Sequence, residues 1–178
     1  MRFLTFLALM FLAMVISGLY GALHDQVSYT VSPEYFTEFK FHQFGLIDSP
    51  LGERMKAAMV GWMATWWMGV PIGVLVGGFG YLHPTCGAMF HRSMIAFGVV
   101  AVVAMATGLL GLAYGTFVAS QDPADYVGFW YLPESLTEPA RFLRVGHMHN
   151  FSYLGGVIGL VAGVITQFVL RRRGKRQA

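Results

Sequence analysis

The chain has 178 residues, 56% of them apolar and 12% charged, with a mean hydropathy of +0.56. That balance excludes an ordinary water-soluble domain and points into a lipid bilayer. The pI of about 9.2 comes largely from RRRGKR at 171–176, directly after an apolar run, which is a membrane stop signal rather than a nucleic-acid footprint. A lone cysteine, Cys86, excludes a disulfide framework and any Cys-paired zinc or iron–sulfur site within one chain.

Crossing about 30 Å of hydrocarbon takes roughly 20 apolar residues in a helix. Four stretches qualify, Phe3–Leu23, Ala57–Tyr81, Ser93–Ala119 and Phe151–Leu170. Backbone groups in lipid must be paired within their own segment, so each is predicted to be a helix. The predicted fold is an all-α membrane protein in one domain: a four-transmembrane-helix bundle with an aromatic-rich outer loop. The first stretch follows a short basic start, MR, and could be a cleaved signal peptide, leaving three helices. It is read as an anchor, being long for a signal core and lacking a clear A-x-A site.

Segment 24–56 is too polar to span. Val27, Tyr29 and Val31 alternate with Ser28, Thr30 and Ser32, a strand-like pattern. Ser32, Pro33 and Glu34 then read as a helix start, N-cap, N1 and first-turn acid, although Phe39, Lys40, Phe41 and His42 fit an extended segment equally. The aromatic set Tyr35, Phe36, Phe39, Phe41 and Phe44 reads as a lid over the bundle or as a docking surface for another membrane or periplasmic protein.

The second apolar stretch carries Ala57, Gly61, Thr65, Gly69, Gly73 and Gly77 at four-residue spacing. The other three carry Ala13, Ser17 and Gly21, then Gly111 and Gly115, then Gly155, Gly159 and Gly163. Membrane helices associate through such small residues, so a glycine-packed bundle is expected. Trp62, Trp66 and Trp67 lie deeper than an interfacial belt, and Pro71 just beyond them is expected to shape a kink. Met55, Met59 and Met63 form a stripe read as packing, with copper(I) ligation the sharper alternative. In the second loop, 120–150, Trp130 and Tyr131 read as interfacial anchors, and a short helix is expected after Glu138-Pro139.

Orientation follows from Lys and Arg in the flanks. With the C-terminal tail 171–178 in the cytoplasm, Arg2, Arg92, Arg171, Arg172, Arg173, Lys175 and Arg176 lie inside, against Lys40, Arg54, Lys56, Arg141 and Arg144 outside, seven to five. Loops 24–56 and 120–150, which hold all nine acids, are then external.

On that outer side lie His24 with Asp25, His42, and His147 with His149, whereas His83 and His91 face the cytoplasm. Imidazole and carboxylate suit copper, zinc or iron, so His24, Asp25, His42, His147 and His149 are the candidate metal ligands. His147 and His149 would diverge by about 200° on a regular helix. If Asn150 were the N-cap of the last helix, both would precede it in extended chain and could share an ion. The competing reading is ordinary polar capping. Haem b in the bundle is disfavoured, because these histidines sit at helix ends.

The blocks GALHDQVSYTVSPEYFTEFKFHQFG, GWMATWWMG and RVGHMHNFSYLGG together resemble a family of small bacterial multi-pass membrane proteins described as signal-peptide-containing. The resemblance implies a bacterial inner-membrane protein and carries over no activity and no catalytic residue. Nor does any spacing single out an activated nucleophile or an acid/base pair, and no ionisable residue lies well inside a span, as transport would ask. The expectation is a non-enzymatic structural or partner-docking membrane protein, with a membrane metal or redox protein built on the outer His/Asp set as the alternative.

Overall fold

The computed structural model describes residues 1–176, whose regular structure is all helical, with no strand among the described residues. Helix α1 spans Arg2–Val31. A π-helical turn, Phe36–Lys40, runs into the short α2, Phe41–Gln43. The second long helix is α3, Glu53–Thr65, and α4, Gly69–Phe79, joined by a 3-10 turn at Trp66–Met68. Helix α5 spans Cys86–Phe117 and α6 spans Pro139–Arg176. Four helices, α1, α3 with α4, α5 and α6, are long and apolar enough to cross a membrane.

The small residues decide how they pair. A Cβ on Gly61 of α3 would overlap the Gly21 carbonyl of α1, and one on Gly69 of α4 would strike the Met14 backbone. These backbones touch because side chains are absent, which is how helices gain contact where lipid removes the hydrophobic incentive. On the other pair, a Cβ at Gly159 of α6 would lie 2.8 Å from the Val100 carbonyl of α5. The glycine-packed bundle read from the sequence is thus two tight helix pairs, α1 with α3/α4 and α5 with α6.

Two cores lock the pairs together. At one end Leu9, Ala13, Val76, Met89, Ala96, Phe97 and Val100 are buried together. At the other, Tyr29, Tyr35, Phe36, Phe41, Leu46, Val60, Phe142 and Val145 form an aromatic cap. Near the first core, Gln167 donates to the Val76 carbonyl (2.8 Å) and Ser93 Oγ (2.9 Å) and pairs with His83 Nε2 at 2.7 Å. Burial lowers the His83 pKa and the nearby arginines lower it further, against the raising effect of Gln167, so this imidazole is held neutral.

Three local expectations are corrected. The strand-like 27–31 continues α1, because Gly21, His24, Asp25 and Ser28 are all buried at i, i+3, i+4 and i+7, a helical face that is small and polar rather than apolar. Asn150 is no N-cap: α6 begins at Pro139, where proline costs no intrahelical hydrogen bond, so His147 and His149 are both helical. The distortion of the second long helix lies at Trp66–Met68, upstream of Pro71. Proline lacks the N–H that would bind the Trp67 carbonyl, and Gly69 N–H takes up that acceptor instead. Ser32 does cap the next helical stretch, its Oγ accepting from Tyr35 N–H at 3.3 Å, and residues 34–43 are helical.

Candidate metal centre

His24 and Asp25 sit near the C-terminal end of α1, and His149 lies on α6 opposite them. All three are buried, at 4%, 3% and 8% exposure. His24 Nδ1 is 3.0 Å from Asp25 Oδ1, and His149 Nε2 is 3.3 Å from the same oxygen. Among the described residues this is the group of His, Cys, Asp and Glu whose ligand atoms converge, all within 4.8 Å of one another.

Protonation can be assigned from partners. His149 Nδ1 is 3.0 Å from the Val145 carbonyl, which can only accept, so Nδ1 carries a proton. In a neutral ring, Nε2 then presents a lone pair to the Asp25 carboxylate, acceptor against acceptor. That contact is repulsive unless a cation lies in it, either a proton on Nε2 or a metal ion. His24 donates through Nδ1–H to Asp25, which leaves its Nε2 as a lone pair, buried and with no hydrogen-bond partner. Two buried imidazole lone pairs and one carboxylate make an electron-rich centre, costly to leave uncompensated.

The aromatic lid holds these groups in place. Tyr35 stacks on His149 with ring centroids 4.8 Å apart, and Phe142 packs on Tyr35 at 4.9 Å. His24 meets His149 edge to face at 4.8 Å. Tyr20 and Ser152 share a short hydroxyl hydrogen bond between α1 and α6 beneath the cluster. Of the aromatic set read as lid or docking surface, Tyr35, Phe36 and Phe41 are buried in the protein's own cap, and Phe39 and Phe44 are half-buried against it.

The cluster forms the polar end of a cavity of about 310 Å³ between the two cores. Lys40 also lines it, its ammonium 2.8 Å from Gln43 Oε1 and 4.4 Å over the Phe39 ring. Burial pulls the Lys40 pKa below its ordinary value, and the nearby Asp25 partly offsets this. Below the polar end the walls are apolar, among them Met68, Ile72, Phe97 and Val100.

His42 and His147 do not join the cluster. His42 is exposed on α2, in a shallow surface depression with Tyr131. His147 Nε2 is 3.0 Å from Tyr126 Oη, whose hydrogen goes to the Ser120 carbonyl, so the imidazole is the donor and anchors the loop 120–138. His147 and His149 diverge as the helical reading required. Of the methionine stripe, Met63 lines the cavity. Tyr20, Lys40, Ser152 and Tyr153 of the site carried no sequence signal beyond their polarity. No family model, curated protein or solved structure matches this chain.

Proposed function

We propose that this chain is a membrane protein that binds one transition-metal ion through His24, Asp25 and His149. The observation that carries the reading is the lone-pair opposition at His149 Nε2 and Asp25 Oδ1, 3.3 Å apart with the other imidazole nitrogen already committed to Val145. Ligands each about 2.1 Å from a shared ion stand roughly 3.0 to 3.4 Å apart when adjacent in a tetrahedral or octahedral shell. The 3.3 Å between His149 Nε2 and Asp25 Oδ1 matches that edge length, and the unpartnered Nε2 of His24 is the third ligand atom.

Two imidazoles and one carboxylate suit zinc, iron(II) or copper(II). Three protein ligands leave at least one position open, the arrangement of a reactive rather than a purely structural site. The partner-docking reading has less in its favour, since most of the aromatic set is already used inside the cap. The asymmetry of Lys and Arg supports placing the cluster on the outer side of the membrane.

Dialysis of the purified protein against zinc, copper or iron(II), followed by elemental analysis, tests the reading. One ion per chain is expected, lost in Asp25→Ala and in His149→Ala and retained in His147→Ala. Substoichiometric metal in the native chain, or full retention in both cluster variants, would sink it.

A further inference from the structure

The cavity under the cluster has a shape and chemistry that metal binding alone does not use. Its polar end offers donors at Lys40, Tyr20, Ser152 and Tyr153 together with the Asp25 acceptor, and its far end is bounded by Ile72, Phe97 and Val100. Pockets of about 300–1,000 Å³ with apolar walls and a few convergent polar groups are built for small molecules, and about 310 Å³ reaches that range.

The way in is lateral. Met63 and Trp67 on the second long helix and Tyr153 on α6 line the cavity and are 41%, 54% and 48% exposed. Trp67 lies midway along the Glu53–Leu82 crossing, so this exposure faces lipid rather than water. Gly156 leaves the rim open: a Cβ there would meet only Met68 Cε, at 3.7 Å. A molecule that enters here must therefore be dissolved in the bilayer.

The charge of its head is constrained as well. Beside the three ligands the lining offers neutral donors, Tyr20, Ser152 and Tyr153, and one Lys or Arg side chain, Lys40, whereas a phosphodiester or a fatty acid carboxylate is best held by paired cationic groups. A neutral ring bearing oxygens accepts from those donors and, in its reduced quinol form, also donates to the acceptor, and the cavity supplies flat walls for it in Tyr20, Phe44 and Trp67.

We infer that the cavity binds a membrane quinone or quinol, with the ring oxygens at the His24, Asp25 and His149 end and the first part of the apolar tail leaving between Trp67 and Tyr153. The assignment deepens the metal reading and rests on it for what the ring oxygen meets at the open coordination position. The walls, the lateral opening and the donors are independent of any ion.

The full chain in phosphatidylcholine nanodiscs, zinc-loaded and in parallel stripped with chelator, is titrated with a decyl benzoquinone while tryptophan fluorescence is followed, Trp67 lining the cavity. Saturable quenching is expected, weakened roughly tenfold or more in Gly156→Leu, which fills the opening, and in Ala64→Leu, which adds bulk to the cavity wall, with bound zinc unchanged in both. Linear quenching equal in the native chain and the variants means that the quinone only partitions into lipid, and overturns the inference. Displacement by equimolar phosphatidylglycerol or oleate overturns it too, making this an acyl-lipid site. Zinc bound without saturable quenching removes the quinone alone. Saturable quenching in a chain that takes up no zinc removes the metal reading and leaves the cavity assignment standing.

Discussion

The proton on His149 Nδ1 decides what the opposite nitrogen can do. With Nδ1–H given to the Val145 carbonyl, Nε2 can only accept from a proton or a metal, and Asp25 supplies the negative charge that makes either favourable. Replacing Asp25 with Asn keeps the shape and removes that charge, so affinity for zinc should fall by more than about 100-fold, the upper range for losing an outer-shell partner. The same change removes a buried carboxylate that is poorly compensated when no ion is bound. Thermal unfolding with and without chelator checks both effects. The native protein should lose stability on metal removal, by about 2.7 kcal/mol when the free ion had been at 100 times Kd, whereas Asp25→Asn should melt at nearly the same temperature in either condition. Equal chelator sensitivity of the two proteins would count against Asp25 as a ligand.

At the level of elements, the paired helices depend on missing side chains. Gly61→Val would push a branched side chain into the Gly21 backbone, which cannot give way as a flexible side chain can. A destabilisation of about 1–3 kcal/mol is expected from the overpacking, read as a lowered melting temperature in detergent, while Gly78→Val, where a Cβ meets nothing, should be nearly silent. The lid is fastened differently. Glu34 accepts from the Thr137 amide at 3.0 Å and the Glu138 amide at 2.8 Å, just ahead of α6. Desolvation raises its pKa, but the Thr137 hydroxyl and these two amides outweigh it and hold the carboxyl below its ordinary 4.5. A depressed carboxylate contributes stability above its unfolded pKa and loses it as pH falls through the folded one. Exchange protection of the Thr137 and Glu138 amides, referenced to unstructured peptide, should therefore persist at pH 6, collapse in acid below 4.5, and be weak at every pH in Glu34→Gln. Protection that is indifferent to both changes would show that the lid is held by its aromatics alone.

Across the whole molecule, the number and order of the membrane helices were legible because about 20 consecutive apolar residues leave little alternative in lipid. The small-residue faces were legible for the same reason: Gly61, Gly69 and Gly159 sit where backbones meet. The candidate centre was only half legible. His24, Asp25 and His149 stood among the candidate ligands, but nothing in the spacing separated them from His42 and His147, since convergence depends on how far two helices extend past their apolar cores. Apolarity ends near Leu23 and resumes near Phe151, whereas α1 runs on to Val31 and α6 starts at Pro139. Those polar extensions are held by burial against each other and by the aromatic cap, a tertiary cause that a linear scan of hydropathy does not register. The cavity was not legible at all, being the space left between two cores.

Asp25 belongs to the pair α1 with α3/α4, and His149 to the pair α5 with α6, so any cation between them is a rivet through the seam of the molecule. The inner core and the aromatic cap already join the two hairpins, and an ion in place adds a bond across that seam, close to the side window next to Gly156. Because the site straddles the seam, the free energy of holding the ion is also free energy holding the two hairpins together, so the loaded chain should resist their separation more than the stripped one.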